Sequence, residues 1–140
     1  MTGETDLQLM LATLRAFRRP GEFVVVTLVG EVPAGVAVAA SIREDEGMTL
    51  VTTREDADAA GLDYDFVAAW ISLEVHSALA AVGLTAAFSA ALGDAGISCN
   101  VLAGYYHDHI LVPVDEAARA IEVLGSFARQ ADASASPTTE

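Results

Sequence analysis

From Trp70 to Phe127 the apolar period switches repeatedly between two and 3.6 residues, and the order of those switches restricts the fold more than any other feature of the chain. Trp70 to Val75 alternates apolar with polar residues as a half-exposed strand does. Leu84, Ala87, Phe88, Ala91, Leu92 and Ala95 then recur at helical spacing, with Gly96 as the stop. Ile97 to Gly104 and Ile110 to Val112 read as two strands joined by a polar turn at His107 and Asp108. After Pro113, Asp115 as N-cap opens a last helix with Ala117, Ile121, Leu124 and Phe127 on one face. Strand, helix, strand, strand, helix is a ferredoxin-like βαββαβ unit lacking its final strand. That strand must come from elsewhere in the chain.

The amino-terminal half offers one. Leu7, Leu11, Leu14 and Phe17 lie on one helical stripe, ended by Arg18-Arg19-Pro20-Gly21. Phe23 to Val29 is a continuous β-branched run expected of a buried strand, and Val36 to Ile42 and Met48 to Thr52 read as further strands around the solvated turn Arg43-Glu44-Asp45-Glu46-Gly47. Thr53, with Asp56 three residues on, starts a short helix that Gly61 ends. This half can complete the sheet or form a second, degenerate copy of the same unit. The expectation is an α+β protein of two interlocked ferredoxin-like units, with antiparallel sheets and helices on one face. Residues 1–65 form the degenerate unit, 66–130 the unit that lacks only its final strand, and 131–140 a disordered tail.

Charge removes several functions from consideration. Of 140 residues 20 are acidic against seven arginines and no lysine, for a net charge of −13. Nucleic-acid backbones need clustered cations that this chain lacks. Glu4 and Asp6 stand where a secretory signal needs positive charge and an apolar run, so a cytoplasmic location is expected. The uncharged run from Val75 to Gly93 is mostly Ala, Gly, Ser and Thr with His76 inside it, which suits a soluble strand, loop and helix better than a membrane span. The single cysteine, Cys99, excludes an internal disulfide and supplies no metal-finger spacing.

Val82-Gly83-Leu84-Thr85 between strand and helix, Gly96-Ile97-Ser98-Cys99-Asn100-Val101, and Gly104-Tyr105-Tyr106-His107-Asp108-His109 resemble the small tandem ACT-domain proteins. The likeness also covers Pro20-Gly21-Glu22-Phe23-Val24, Glu46-Gly47-Met48-Thr49-Leu50 and the Trp70 strand, so it spans Leu7 to Phe127. A more distant similarity links the chain to the eukaryotic cytosolic arginine sensors, which share a Ser-His-Ser-like loop and a glycine before the helix. The resemblance implies a non-catalytic regulatory protein that binds an amino acid or similar small molecule at the connection between first strand and first helix, across an interface between domains. No cofactor is implied.

The residues themselves permit that reading and blander ones. A helix start exposes unpaired N–H groups and partial positive charge, so the loop from His76 and Ser77 through Val82, Gly83, Leu84 and Thr85 can receive a carboxylate. If the Trp70–Val75 and Ile97–Gly104 strands run side by side, Asn100 and Val101 face the same place, and Asn100 can grip an α-amino or amide group. Alternatively, Gly83 merely permits a tight turn and Asn100 satisfies a strand end.

His107-Asp108-His109 puts two imidazoles on one side of a strand, an open zinc site if Cys99 or His76 joins them; the same residues also suit a plain turn or a subunit contact. Adjacent strand positions send Tyr105 and Tyr106 to opposite faces, one outward for a dimer contact. Three functions therefore stand in order: a ligand-binding regulator, a dimerisation scaffold in which only the fold survives, and a metal-dependent enzyme. A symmetric homodimer is expected, because bare sheet edges tend to be covered.

Overall fold

The computed structural model describes residues 3–75 and 83–135, with side chains placed for 7–75 and 83–131. In chain order the elements are α1 (Gly3–Thr13), β1 (Arg15–Arg18), β2 (Phe23–Leu28), β3 (Ala40–Glu44), β4 (Gly47–Thr53), α2 (Arg54–Ala60), β5 (Val67–Glu74), α3 (Leu84–Asp94), β6 (Asn100–Ala103), β7 (Asp108–Pro113) and α4 (Ala117–Ala135). Seven strands make one antiparallel sheet in the order β3-β4-β2-β5-β7-β6, with β1 also paired to β5. Among the described residues no helix is long and apolar enough to cross a membrane.

Strand β5 serves two units at once. Its opening residues pair with β2, Phe23 opposite Ala68 and Val24 opposite Val67, which makes it the fourth strand after β2, β3 and β4. Its later residues pair with β1, from Ile71 opposite Arg18 to Glu74 opposite Arg15, while its other edge takes β7. There it is the first strand of β5-α3-β6-β7-α4, and β1 is the missing fourth. The interlocking expected from the sequence is therefore literal: the segment that precedes the first unit completes the second.

Between β1 and β2 the four residues Arg19-Pro20-Gly21-Glu22 face only Ala69 and Trp70 of β5, with the Arg19 N–H donating to the Trp70 carbonyl at 2.8 Å. Pro20 cannot donate to a ladder and Gly21 takes φ +93°, so the pair forms a bulge rather than the helix stop expected of it. The helix ends earlier, at Thr13, whose hydroxyl bonds back to the Leu9 and Met10 carbonyls at 3.1 Å each. Leu14 is buried at the exit, and Phe17 lies on a strand, not on the helical stripe.

All helices cover one face of the sheet. Beneath α1, α3 and α4 the core joins Met10, Leu11 and Leu14 to Ile71, Leu73, Phe88, Leu92, Ile110 and Leu124. In the first unit, Val24, Val26 and Leu50 pack on Ala57 of α2, and the helix-free stretch 29–39 lays Val32 and Val36 on the same side. Helix α2 has the ends the sequence implied. Thr53 accepts the Asp56 N–H at 3.1 Å, and Gly61 closes the helix at φ +68°.

Several boundaries differ from expectation. Residues 36–39 are not strand, since β3 begins at Ala40, and Arg43 and Glu44 belong to β3, leaving Asp45-Glu46 as the turn. Strand β5 is buried on both faces rather than half exposed, because it is central and its sheet curls. Asp115 lies inside a 3₁₀ turn, Val114–Glu116, instead of capping α4. Helix α4 continues to Ala135, into the segment expected to be a disordered tail. Residues 136–140 lie outside the described part.

Candidate functional site

The connection from β5 to α3 is the position to which the resemblance assigns a ligand. His76, Ser77 and Val82 lie outside the described residues. Gly83, at φ +94°, introduces α3 with no side-chain cap among the described residues, and its carbonyl accepts the Ala87 N–H at 2.9 Å. A Cβ added there would sit 3.3 Å from Leu7 Cδ2, so Gly83 both turns the chain and admits α1 close by. Leu84 belongs to the core, whereas Thr85 is exposed.

The strand adjacency expected to bring Asn100 and Val101 to that loop is not found. Strand β7 separates β5 from β6, so the two strands taken as neighbours are not adjacent. Asn100 stands opposite Leu111, and Leu111 opposite Trp70, well before β5 ends at Glu74. Val101 stands opposite Ile110, on the helix-bearing face, while Asn100 faces the other way. Periodicity alone could not show which strand of a hairpin would take the central place.

The β6–β7 connection also turns elsewhere. Its tip is Tyr105-Tyr106, closed by the Gly104 N–H donating to the His107 carbonyl at 2.9 Å. Neither tyrosine is on a strand; both are exposed, at 75% and 83%, with their rings edge-on at 4.9 Å. A Cβ at Gly104 would collide with the His107 carbonyl, so glycine is required at this closure.

Asp108 opens β7, and His109 points to the face away from the helices, where it joins a small polar network. Trp70 Nε1–H donates to His109 Nδ1 and to Ser72 Oγ, both at 3.2 Å, and Ser72 Oγ lies 2.8 Å from His109 Nδ1. An acceptor at Nδ1 describes the neutral imidazole. Burial, then the nearby charges of Arg19 and His107, lower the His109 pKa and favour that form, against a smaller opposing pull from Asp108. The Arg19 guanidinium lies over the Trp70 ring at 4.1 Å from its centroid. Among the described residues no three His, Cys, Asp or Glu side chains gather in positions to hold one metal ion. Cys99 is part-buried against the helical core, and burial pushes its thiol pKa up, away from nucleophilic thiolate.

The face opposite the helices carries a feature that no single sequence window announces. Phe23, Val51, Ala68, Trp70 and Leu111 form a buried cluster there, flanked by Val25, Ala40, Phe66 and Leu102. Because the sheet curls, β3 on one edge and β6 on the other border one cavity of about 320 Å³. Ser41, Thr49 and Asn100 are its polar lining residues; Ser41 stands opposite Leu50, which turns its side chain to the other face, and the Thr49 hydroxyl is already bonded to Glu44.

Models of the ACT domain match residues 2–69 and residues 66–126, overlapping at the start of the shared strand. A Vibrio cholerae protein of unknown function, described as a possible transport protein, is 43% identical; the match covers 91% of this chain and 99% of that one, with a TM-score of 0.84. An Agrobacterium tumefaciens protein is similar at 17% identity, 82% and 89% coverage and a TM-score of 0.64. The ligand-free regulatory subunit of aspartate kinase from Thermus thermophilus is similar at 12% identity, 80% and 95% coverage and a TM-score of 0.60. At such identity the last two carry a likeness of fold. None of the curated proteins matches the chain. The two consecutive matches, laid over two βαββαβ-type units that share β5, place the chain in the ACT-domain family as a tandem pair of ACT domains.

Proposed function

We propose that this chain is a non-catalytic regulatory protein that binds an amino acid at the β5–α3 connection, with His76, Ser77, Val82, Gly83 and Thr85 forming the site, and that it works in the cytoplasm as a homodimer. The observation that carries the reading is the start of α3. The resemblance implies that ACT proteins bind small ligands at this connection, and here the helix begins at an αL glycine, with no side chain among the described residues capping its first N–H groups. Those donors, with the helix dipole, suit a carboxylate. Leu84 is assigned to the core, and Asn100 and Val101 to opposite sheet faces, so they are not counted among the contacts.

A thermal-shift screen of the intact protein against the amino acids tests the proposal. Ligand at about 100 times its dissociation constant adds about 2.7 kcal/mol of stability. Ser77→Ala and Thr85→Ala variants should lose the shift while keeping the unliganded melting temperature. Gly83→Val is the poorer probe, because its φ and its approach to Leu7 make any side chain there disruptive without ligand. No shift with any amino acid, or equal shifts in wild type and variants, would overturn the reading. Sedimentation at micromolar concentration tests the dimer, which a clean monomer with and without ligand would refute.

A further inference from the structure

We propose that the curled face of the sheet holds a second small-molecule site, for an uncharged and largely apolar ligand bearing one hydrogen-bonding group, and that its occupant bridges the two ACT domains. The cavity of about 320 Å³ lies at the lower end of the range of small-molecule sites, about 300–1,000 Å³. Its walls are mainly hydrocarbon: Val25, Ala40, Ile42, Phe66, Leu102 and Leu111. A partly open space lined in this way takes apolar molecules readily.

The chemistry of the occupant follows from what is missing at the wall. Among the described residues of a chain with 27 charged residues, 20 acidic and seven basic, none of the charged ones lines this cavity. A zwitterion or carboxylate entering it would lose hydration and gain no opposite charge. The amino acid proposed for the β5–α3 connection is therefore not the ligand here, and the two proposals stand or fall separately. With the Thr49 hydroxyl bonded to Glu44, and Ser41 standing opposite Leu50 with its side chain on the helix-bearing face, the Asn100 carboxamide is the side chain at the wall that can donate and accept towards a single polar group.

The bridging follows from the strand order. Val25, Ala40, Ile42 and Thr49 come from β2, β3 and β4 of the first unit, while Asn100, Leu102 and Leu111 come from β6 and β7 of the second. A molecule touching both edges favours the more tightly curled sheet, whatever other ligand the protein carries.

N-phenyl-1-naphthylamine, an uncharged fluorophore that brightens in apolar surroundings, is a suitable probe for the intact protein. Saturable binding of one probe per chain is expected, with energy transfer from Trp70, the only tryptophan, which belongs to the cluster beneath the cavity. Ala40→Phe and Leu102→Phe fill the space from opposite edges and should each weaken binding about tenfold or more. Val101→Phe, on the other face, should leave it unchanged. Absence of saturable binding, absence of transfer from Trp70, or full-affinity binding by a folded Ala40→Phe or Leu102→Phe protein would each overturn the proposal. The wild-type transfer measurement decides the matter if both variants fail to fold.

Discussion

The two ACT units obtain the same topology by unequal means. The second has a helix after its first strand and another after its third, a six-residue ladder between β5 and β7, and α1 added to its core. The first has only α2, replaces its other helix with the stretch 29–39, and holds its fourth strand through two paired residues, Phe23 with Ala68 and Val24 with Val67. The better-furnished unit is nevertheless the dependent one, because its fourth strand and a third of its helical cover lie before the first unit in the chain. Tandem units related in this way cannot be cut apart at a loop, and what touches one edge of the shared strand bears on both.

The most drastic way to break the comparison is to remove what the second unit borrows. A chain beginning at Gly21 loses Met10, Leu11 and Leu14 from the core and leaves the β5 edge unpaired along residues 71–74, so it should show no cooperative melting by circular dichroism. Residues 66–130 expressed alone should fail likewise; a stable monomeric fragment would show that the second unit needs no loan.

Less drastic is Phe88→Ala, which empties a fully buried site under α3 and should cost about 3–5 kcal/mol. Because β5 joins both cores, the loss should appear as one shifted transition for the whole chain in denaturant. Two resolved transitions would separate the units. In the first unit, Thr53→Ala removes the α2 cap and should cost about 1 kcal/mol, with the transition again single.

The smallest effect is one of pH. His109 has its pKa lowered in the fold by burial and then by Arg19 and His107, while the unfolded chain titrates near 6.5. Both states are neutral above that value, so nothing changes there. As pH falls through 6.5 the unfolded chain binds a proton that the folded chain refuses, and stability declines until the depressed pKa is reached. Melting temperatures at pH 7.5 and 5.5 should therefore differ less in His109→Gln than in wild type. An equal difference in the two proteins would remove His109 from the account.

Legibility in the sequence followed the reach of each signal. Thr53, Asp56 and Gly61 act within one short helix, and Leu84, Phe88 and Leu92 repeat within another, so both elements were readable from residues a turn apart. Leu14 and Phe17 fit a helical stripe by spacing, yet the ladder with β5 claims Arg15 to Arg18, and nothing local announces a partner more than fifty residues away. The loop proposed for the ligand rests on resemblance, and the opening of α3 is marked by Gly83. The order β5-β7-β6, which keeps Asn100 off the strand next to β5, depends on pairings that periodicity does not encode. The apolar cavity was the least legible feature. Its wall is assembled from isolated positions on β2, β3, β4, β6 and β7, each of which reads as ordinary core.

Amide hydrogen exchange of the intact protein, with and without the amino acid giving the largest thermal shift, tests the functional reading most directly. Protection on binding is predicted in peptides spanning residues 75–88, where β5 passes into α3, with little change in peptides covering β3 or β6. Protection confined to residues 40–51 and 100–111, or no protection anywhere, would contradict an amino-acid site at the β5–α3 connection.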